Sequence, residues 1–143
     1  QLSQVDLTSA SGVSDAEGWY IALDTASTGY RTERVITDPL STLSGVVFFT
    51  TYKPYDDVCA YGGKSYIWAL KYDTGGAPGS LLRGKALLQV STGSIEQIDL
   101  ATAFTEKEGR RTSAIEGVPP TSQGLSILST PPPVKRIIHM RER

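Results

Sequence analysis

Two stretches of the chain repeat one another: Tyr20-Ile21-Ala22-Leu23-Asp24 running on to Thr28-Gly29, and Tyr66-Ile67-Trp68-Ala69-Leu70 running on to Asp73-Thr74-Gly75. The step is 46 residues from Tyr20 to Tyr66 and 47 from Leu23 to Leu70. Self-similarity at that period, built from β-forming residues that end in an Asp/Thr/Gly turn cluster, predicts a β-propeller blade or a related β-array. A chain of 143 residues holds about three such units, whereas a closed ring takes about four to eight. The expected fold is therefore mostly β: antiparallel four-stranded blade-like sheets of an incomplete propeller, with at most one short helix. Exposed strand edges would then be satisfied by further polypeptide.

A hydrophobic content of 39% and a net charge of -1 exclude wholesale disorder and leave no general electrostatic reason to bind nucleic acid. The longest apolar run, Val46-Val47-Phe48-Phe49, falls far short of the roughly 20 residues of a membrane-spanning helix, so membrane insertion is not expected. Opening on Gln1 without a charged-then-apolar leader fits a processed secreted product or a piece of a longer chain. Cys59 is the single cysteine. It permits no internal disulfide and reads as a small apolar residue or as a thiol for another chain. Asparagine is absent, which removes N-linked glycosylation.

Composition shifts divide the chain into four stretches. Residues 1–17 are polar and read as an extended approach segment whose order would need a partner. Residues 18–76 carry four β-like runs, Trp19 to Asp24, Glu33 to Ile36, Ser44 to Tyr52 and Lys64 to Tyr72, and form the blade-like sheet. After the Thr74–Gly79 loop, residues 77–130 form a second β unit. It contains a hairpin over Leu81–Val90 and Ser94–Ile98, a short helix near 99–108 capped by Asp99, and a strand over Gly124–Ser129. Residues 131–143 comprise Pro131-Pro132-Pro133 and a basic terminal strand over Val134 to Met140.

Motifs for catalysis are incomplete. Gly79-Ser80-Leu81-Leu82-Arg83-Gly84-Lys85 matches a P-loop up to its lysine, but Ala86 replaces the hydroxyl that holds Mg²⁺, and a strand follows where a helix should start. The one imidazole, His139, lies near the chain end with no nucleophile elbow to serve. Asp56, Asp57 and Asp73 lack the alternation of a calcium loop and read as turn residues, so no metal and no cofactor is expected. Aromatics instead concentrate between Phe48 and Tyr72. Strand alternation assigns Phe48 and Trp68 to the core, together with Trp19. Around the loop from Lys53 to Gly63, Tyr52, Tyr55 and Tyr61 are the candidate contact residues, for a carbohydrate or a protein. Arg136 and Arg141 in the basic tail are further candidate contacts, and Cys59 is a candidate intermolecular thiol.

One succession of residues resembles a known family. Gly18-Trp19-Tyr20-Ile21-x-Leu23, Glu33-Arg34-Val35-Ile36-Thr37-Asp38-Pro39, Gly45-Val46-Val47-Phe48-Phe49-Thr50-Thr51-Tyr52-x-Pro54, Cys59 and Gly62-Gly63-x-Ser65-Tyr66-Ile67-Trp68-Ala69-Leu70 resemble the C-terminal propeller of the type IV pilus tip-associated adhesins, the PilC/PilY biogenesis factors. Gly117-Val118-Pro119-Pro120 and Gly124-Leu125-Ser126-Ile127-Leu128-Ser129 are similar to that family's closing segment. The resemblance implies a large secreted parent with a quinoprotein-like propeller that works with minor pilins in pilus assembly, retraction control and surface attachment. The family's calcium loop has no counterpart here, so no calcium ligand is carried over.

The expected function is thus an extracellular, pilus-associated, non-enzymatic adhesion and assembly module acting through strand edges and the aromatic loop. Its expected partners are the rest of the parent propeller or other copies of itself, and minor pilins. One alternative is a self-assembling subunit of an extracellular filament or oligomer. The other is a fragment of a quinoprotein-like oxidoreductase. That reading lacks the docking-repeat tryptophan, because Gly76-Ala77-Pro78-Gly79 follows Thr74-Gly75.

Overall fold

The computed structural model of the chain describes residues 2–13, 18–23, 32–42, 44–56, 61–82 and 84–128. Among the described residues ten strands run in chain order: β1 Ser3–Gln4, β2 Trp19–Tyr20, β3 Arg34–Val35, β4 Leu40–Ser41, β5 Val46–Pro54, β6 Gly63–Lys71, β7 Lys85–Val90, β8 Ile95–Asp99, β9 Ile115–Gly117 and β10 Pro120–Leu128. The fold is mostly β, and its two larger sheets are antiparallel, as the turn-bounded β-branched and aromatic runs predict. One sheet has the order β3-β5-β6-β9, with β4 also on β5; the other has the order β10-β7-β8.

The long hairpin of β5 and β6 is the backbone of the molecule, paired without a break from Val46↔Lys71 to Pro54↔Gly63. Alternation turns Val46, Phe48, Ile67 and Ala69 to one face, where they join Ala86, Leu88 and Leu125 of the other sheet in a single apolar cluster. Phe104 closes it with an edge-to-face contact on Phe48, ring centres 6.4 Å apart. On the opposite face of the hairpin Trp68 and Leu70 are also fully buried, so β6 is covered on both sides.

Four expectations change. Only Tyr66–Leu70 of the two repeated stretches lies in a long strand; Trp19–Tyr20 pairs in parallel with Ser3–Gln4, outside the large sheets. Among the described residues, the strand of the second copy pairs with β5 and β9, and the first copy with the leading segment. Second, that leading segment is ordered by its own chain: Val5 is buried, Val13 N–H donates to Thr74 O and Ala77 N–H to Ala10 O.

Third, no helix forms near 99–108. Asp99 accepts from Ala101, Thr102 and Ala103 as an N-cap would, but the chain then enters a turn in which Lys107, Glu108 and Gly109 have φ of 51°, 59° and 90°. Three successive left-handed residues cannot continue a right-handed helix. Fourth, the boundary at residues 76 and 77 does not separate sheets, because β9 from the second stretch pairs with β6 of the first. The terminal strand and triproline, residues 131–143, lie outside the described residues.

Candidate functional site

The site stands at the open end of the β5–β6 hairpin. Gly62 has φ +94°, which a side chain would strain, and a Cβ there would meet Gly117 O at 2.5 Å. These constraints seat β9 against β6 and fix the register at the hairpin end. Lys53 consequently lies directly opposite Lys64, and Pro54 opposite Gly63. Glu116 of β9 lies opposite Lys64 on its other side. Lys53, Pro54, Tyr55, Asp56, Lys64 and Tyr66 line a cleft of about 180 Å³.

The two tyrosine walls are held. Tyr55 Oη donates to Glu116 Oε1 at 2.5 Å, and this bond, then burial and the carboxylate's charge, pushes the Tyr55 phenol above its usual range. Burial raises the Tyr66 phenol as well, and the Arg111 guanidinium, whose carbon sits 3.9 Å from the Tyr66 ring centre, opposes that shift.

Behind Tyr66 lies a polar cluster that anchors the sheet face. Glu33 is buried; its Oε2 accepts from the Thr51 hydroxyl and from Trp68 Nε1 at 3.1 Å, and its Oε1 accepts from Arg111 Nη1 at 3.2 Å. Arg111 also reaches Glu106 Oε1 through Nε at 2.9 Å and Nη2 at 2.6 Å. Phe49 stacks on Trp68 with ring centres 5.9 Å apart. Each buried charge thus has a partner, the condition under which buried ions are tolerated.

The three tyrosines named from the sequence do not form one platform. Tyr55 lines the cleft, whereas Tyr52 points to the other side of its strand, and a Cβ on Gly63 would come within 2.8 Å of the Tyr52 ring. Tyr61 is 87% exposed. Burial raises the Tyr52 phenol, and the nearby Tyr61 phenol adds to the effect. Cys59, Arg136 and Arg141 lie outside the described residues. Sequence reasoning missed Lys53, Lys64, Tyr66 and Glu116. The available signal was the Gly62-Gly63 pair, from which counting back along both strands brings the two lysines face to face.

Among the described residues, no group of three or more His, Cys, Asp or Glu converges as a metal site. Chemically, the cleft lining sets Lys53, Lys64 and the Asp56 carboxylate beside two held aromatic rings, Tyr55 and Tyr66. In comparisons with known protein families, with curated proteins and with solved structures, nothing matches the chain.

Proposed function

We propose that the chain is an extracellular, non-enzymatic adhesion and assembly module, part of a type IV pilus tip-associated protein. The observation that carries this reading is the hairpin end: at the tip of two nine-residue strands Tyr61 and Lys64 are exposed and Tyr55 is half-buried beside them. Side chains on a rigid scaffold lose little conformational entropy when a partner binds, and aromatic anchors contribute a large contact area. The motif string over residues 18–76 supplies the choice of biological setting. The partners in this reading are the rest of the parent propeller and minor pilins.

Mixing the purified chain with minor pilins, with and without reductant, tests the proposal. A complex seen by size-exclusion chromatography is expected. Failure to capture any pilus component under both conditions overturns it.

The self-assembling alternative draws on a different feature. Strand β8 borders its sheet among the described residues, with Ile95 59% exposed, and such an edge accepts a further strand. Light scattering separates the two readings, since a monomer that persists at high concentration ends the second.

A further inference from the structure

The smaller antiparallel sheet has two edges of unequal completeness. Along β10, Ser122 O accepts from Asp38 N–H at 2.8 Å, so a segment next to the other sheet covers part of that edge. Strand β8 pairs with β7 alone among the described residues, in unbroken register from Lys85↔Asp99 to Gln89↔Ile95. Ladder parity fixes which of its backbone groups are open. Val90 N–H donates to Ser94 O and Leu100 N–H to Gly84 O, so the even-numbered residues of β8 bond inward to β7. Ile95 and Gln97 therefore turn both N–H and C=O to the open side. At Asp99 the carbonyl already accepts from Ala103 N–H at 3.0 Å, which leaves its N–H.

An open edge is normally blunted by lysine, proline or a bulge. Strand β8, Ile95-Glu96-Gln97-Ile98-Asp99, has none of these. Ile95 is 59% exposed, and Glu96 and Gln97 are exposed beside it. Both charges of the strand are negative, so they favour a basic incoming strand over an acidic one. Asp99 faces Lys85 of β7, whereas Glu96 faces Leu88, which makes Glu96 the charge left to an added strand.

The chain carries a basic, β-forming stretch within reach. Residues 129–143 lie outside the described residues. Their sequence continues from Leu128 with Ser129-Thr130-Pro131-Pro132-Pro133 and then Val134-Lys135-Arg136-Ile137-Ile138. Leu128 is level with Lys85, and Lys85 with Asp99, so a strand beyond β8 in that row stands three strand spacings from Leu128, about 14 Å. The six residue steps from Leu128 to Val134 reach about 19 Å at the polyproline rise of about 3.1 Å. That is enough to cross the end of the sheet. Because β10 and β8 both run antiparallel to β7, a segment returning from Leu128 meets β8 in the antiparallel sense.

We propose that the β8 edge is the docking site of residues 134–138 of the same chain, which add to the sheet as an antiparallel fourth strand. With Val134 level with Asp99, Lys135 and Arg136 fall between Asp99 and Glu96, and Ile138 falls opposite Ile95. Arg136 and Ile138 then exchange backbone hydrogen bonds with Gln97 and Ile95. The short connection favours this occupant over a second copy, because it holds the segment at an effective concentration in the millimolar range. The pairing stands independently of the pilus reading, and it covers the edge on which the filament alternative draws.

The test is amide-resolved hydrogen exchange of the whole chain by NMR, read at Ile95 and Gln97. Both amides should exchange at least about tenfold more slowly than in an unstructured peptide. That protection should be the same across an about tenfold range of protein concentration. Amide NOEs should connect β8 with residues 134–138. The double variant Arg136→Pro, Ile138→Pro removes both ladder donors and should return Ile95 and Gln97 to unprotected rates. The amide of Leu88 in the central strand should stay protected in that variant, which shows that the sheet itself persists.

Unprotected Ile95 and Gln97 in the unaltered chain, or no NOE between β8 and residues 134–138, overturns the proposal. So does protection that survives the double variant. Protection that grows with concentration assigns the edge to a second copy and likewise overturns pairing within one chain. If the variant loses the Leu88 protection as well, the NOEs of the unaltered chain decide by themselves.

Discussion

The two ends of β6 solve the same problem in opposite ways. At the Leu70 end the Arg110 side chain is fully buried, and it donates from Nε to Gly75 O at 2.9 Å, from Nη1 to Ser9 O at 2.7 Å and Lys107 O at 3.2 Å, and from Nη2 to Ser11 O at 2.9 Å. A rigid guanidinium fork thus satisfies carbonyls from three separate segments and draws the leading residues onto the sheet. At the Gly63 end, glycines let the backbone satisfy itself: Tyr55 N–H donates to Gly62 O at 3.3 Å. Where side chains must complete the backbone's hydrogen bonds they are consumed by structure. Where glycine geometry does so, side chains such as Tyr55 bond to other side chains instead, here to Glu116.

The contrast is sharpest in a substitution at the closed end. Arg110→Met should cost about 3–5 kcal/mol, because it leaves several buried carbonyls without a donor. Chemical denaturation measures the loss, and proteolysis should now cut within residues 2–13 while the hairpin survives. A cost below about 1 kcal/mol would show that the clasp does not hold the leading segment.

At the open end, Gly62→Ala should cost about 2 kcal/mol, from the left-handed backbone and the clash with Gly117 O. Its distinctive readout is loss of the Tyr55 to Glu116 bond, visible in the phenol titration. An unchanged phenol titration would break the link between turn geometry and site.

The smallest effect is expected with pH. Tyr52, Tyr55 and Tyr66 all have phenols raised in the folded state. Their contribution is therefore whole below about pH 10, the unfolded phenol value, and is lost as pH climbs through the higher folded values. Thermal midpoints should be level up to about pH 10 as far as these groups are concerned and decline above it. Tyr55→Phe should make that decline shallower. An equal or steeper fall in the variant would remove Tyr55 from the account.

Particular residues show how much of this was legible in advance. The strands β5, β6, β7 and β8 follow from β-branched and aromatic runs between glycine turns, and Phe48 is buried as alternation required, whereas Trp68 is buried on the opposite face beneath Glu33 and Arg111. Trp19 is only half-buried, its Nε1 tied to Tyr72 O at 2.8 Å. Asp99, Leu100 and Phe104 carry a helix-like spacing, yet Leu100 is buried and Phe104 packs on Phe48 while the chain turns back at Lys107 to Gly109. Tertiary contacts overrode a weak local propensity there. Of the site, Tyr55 was legible as an aromatic in a loop. Its partner Glu116 lies 61 positions away and belongs to a strand that no local pattern aligns with it.

By itself the sequence determined the class of the fold and the place of its long hairpin, because alternation and turn chemistry act over a few residues and need no distant partner. Only the tertiary structure decided that Arg110 closes one end of β6 and that Glu116 and two opposed lysines frame the other. Those pairings depend on strand register and on which segments meet across the sheet. Both are set by the collective burial of many side chains and not by the identity of any one of them.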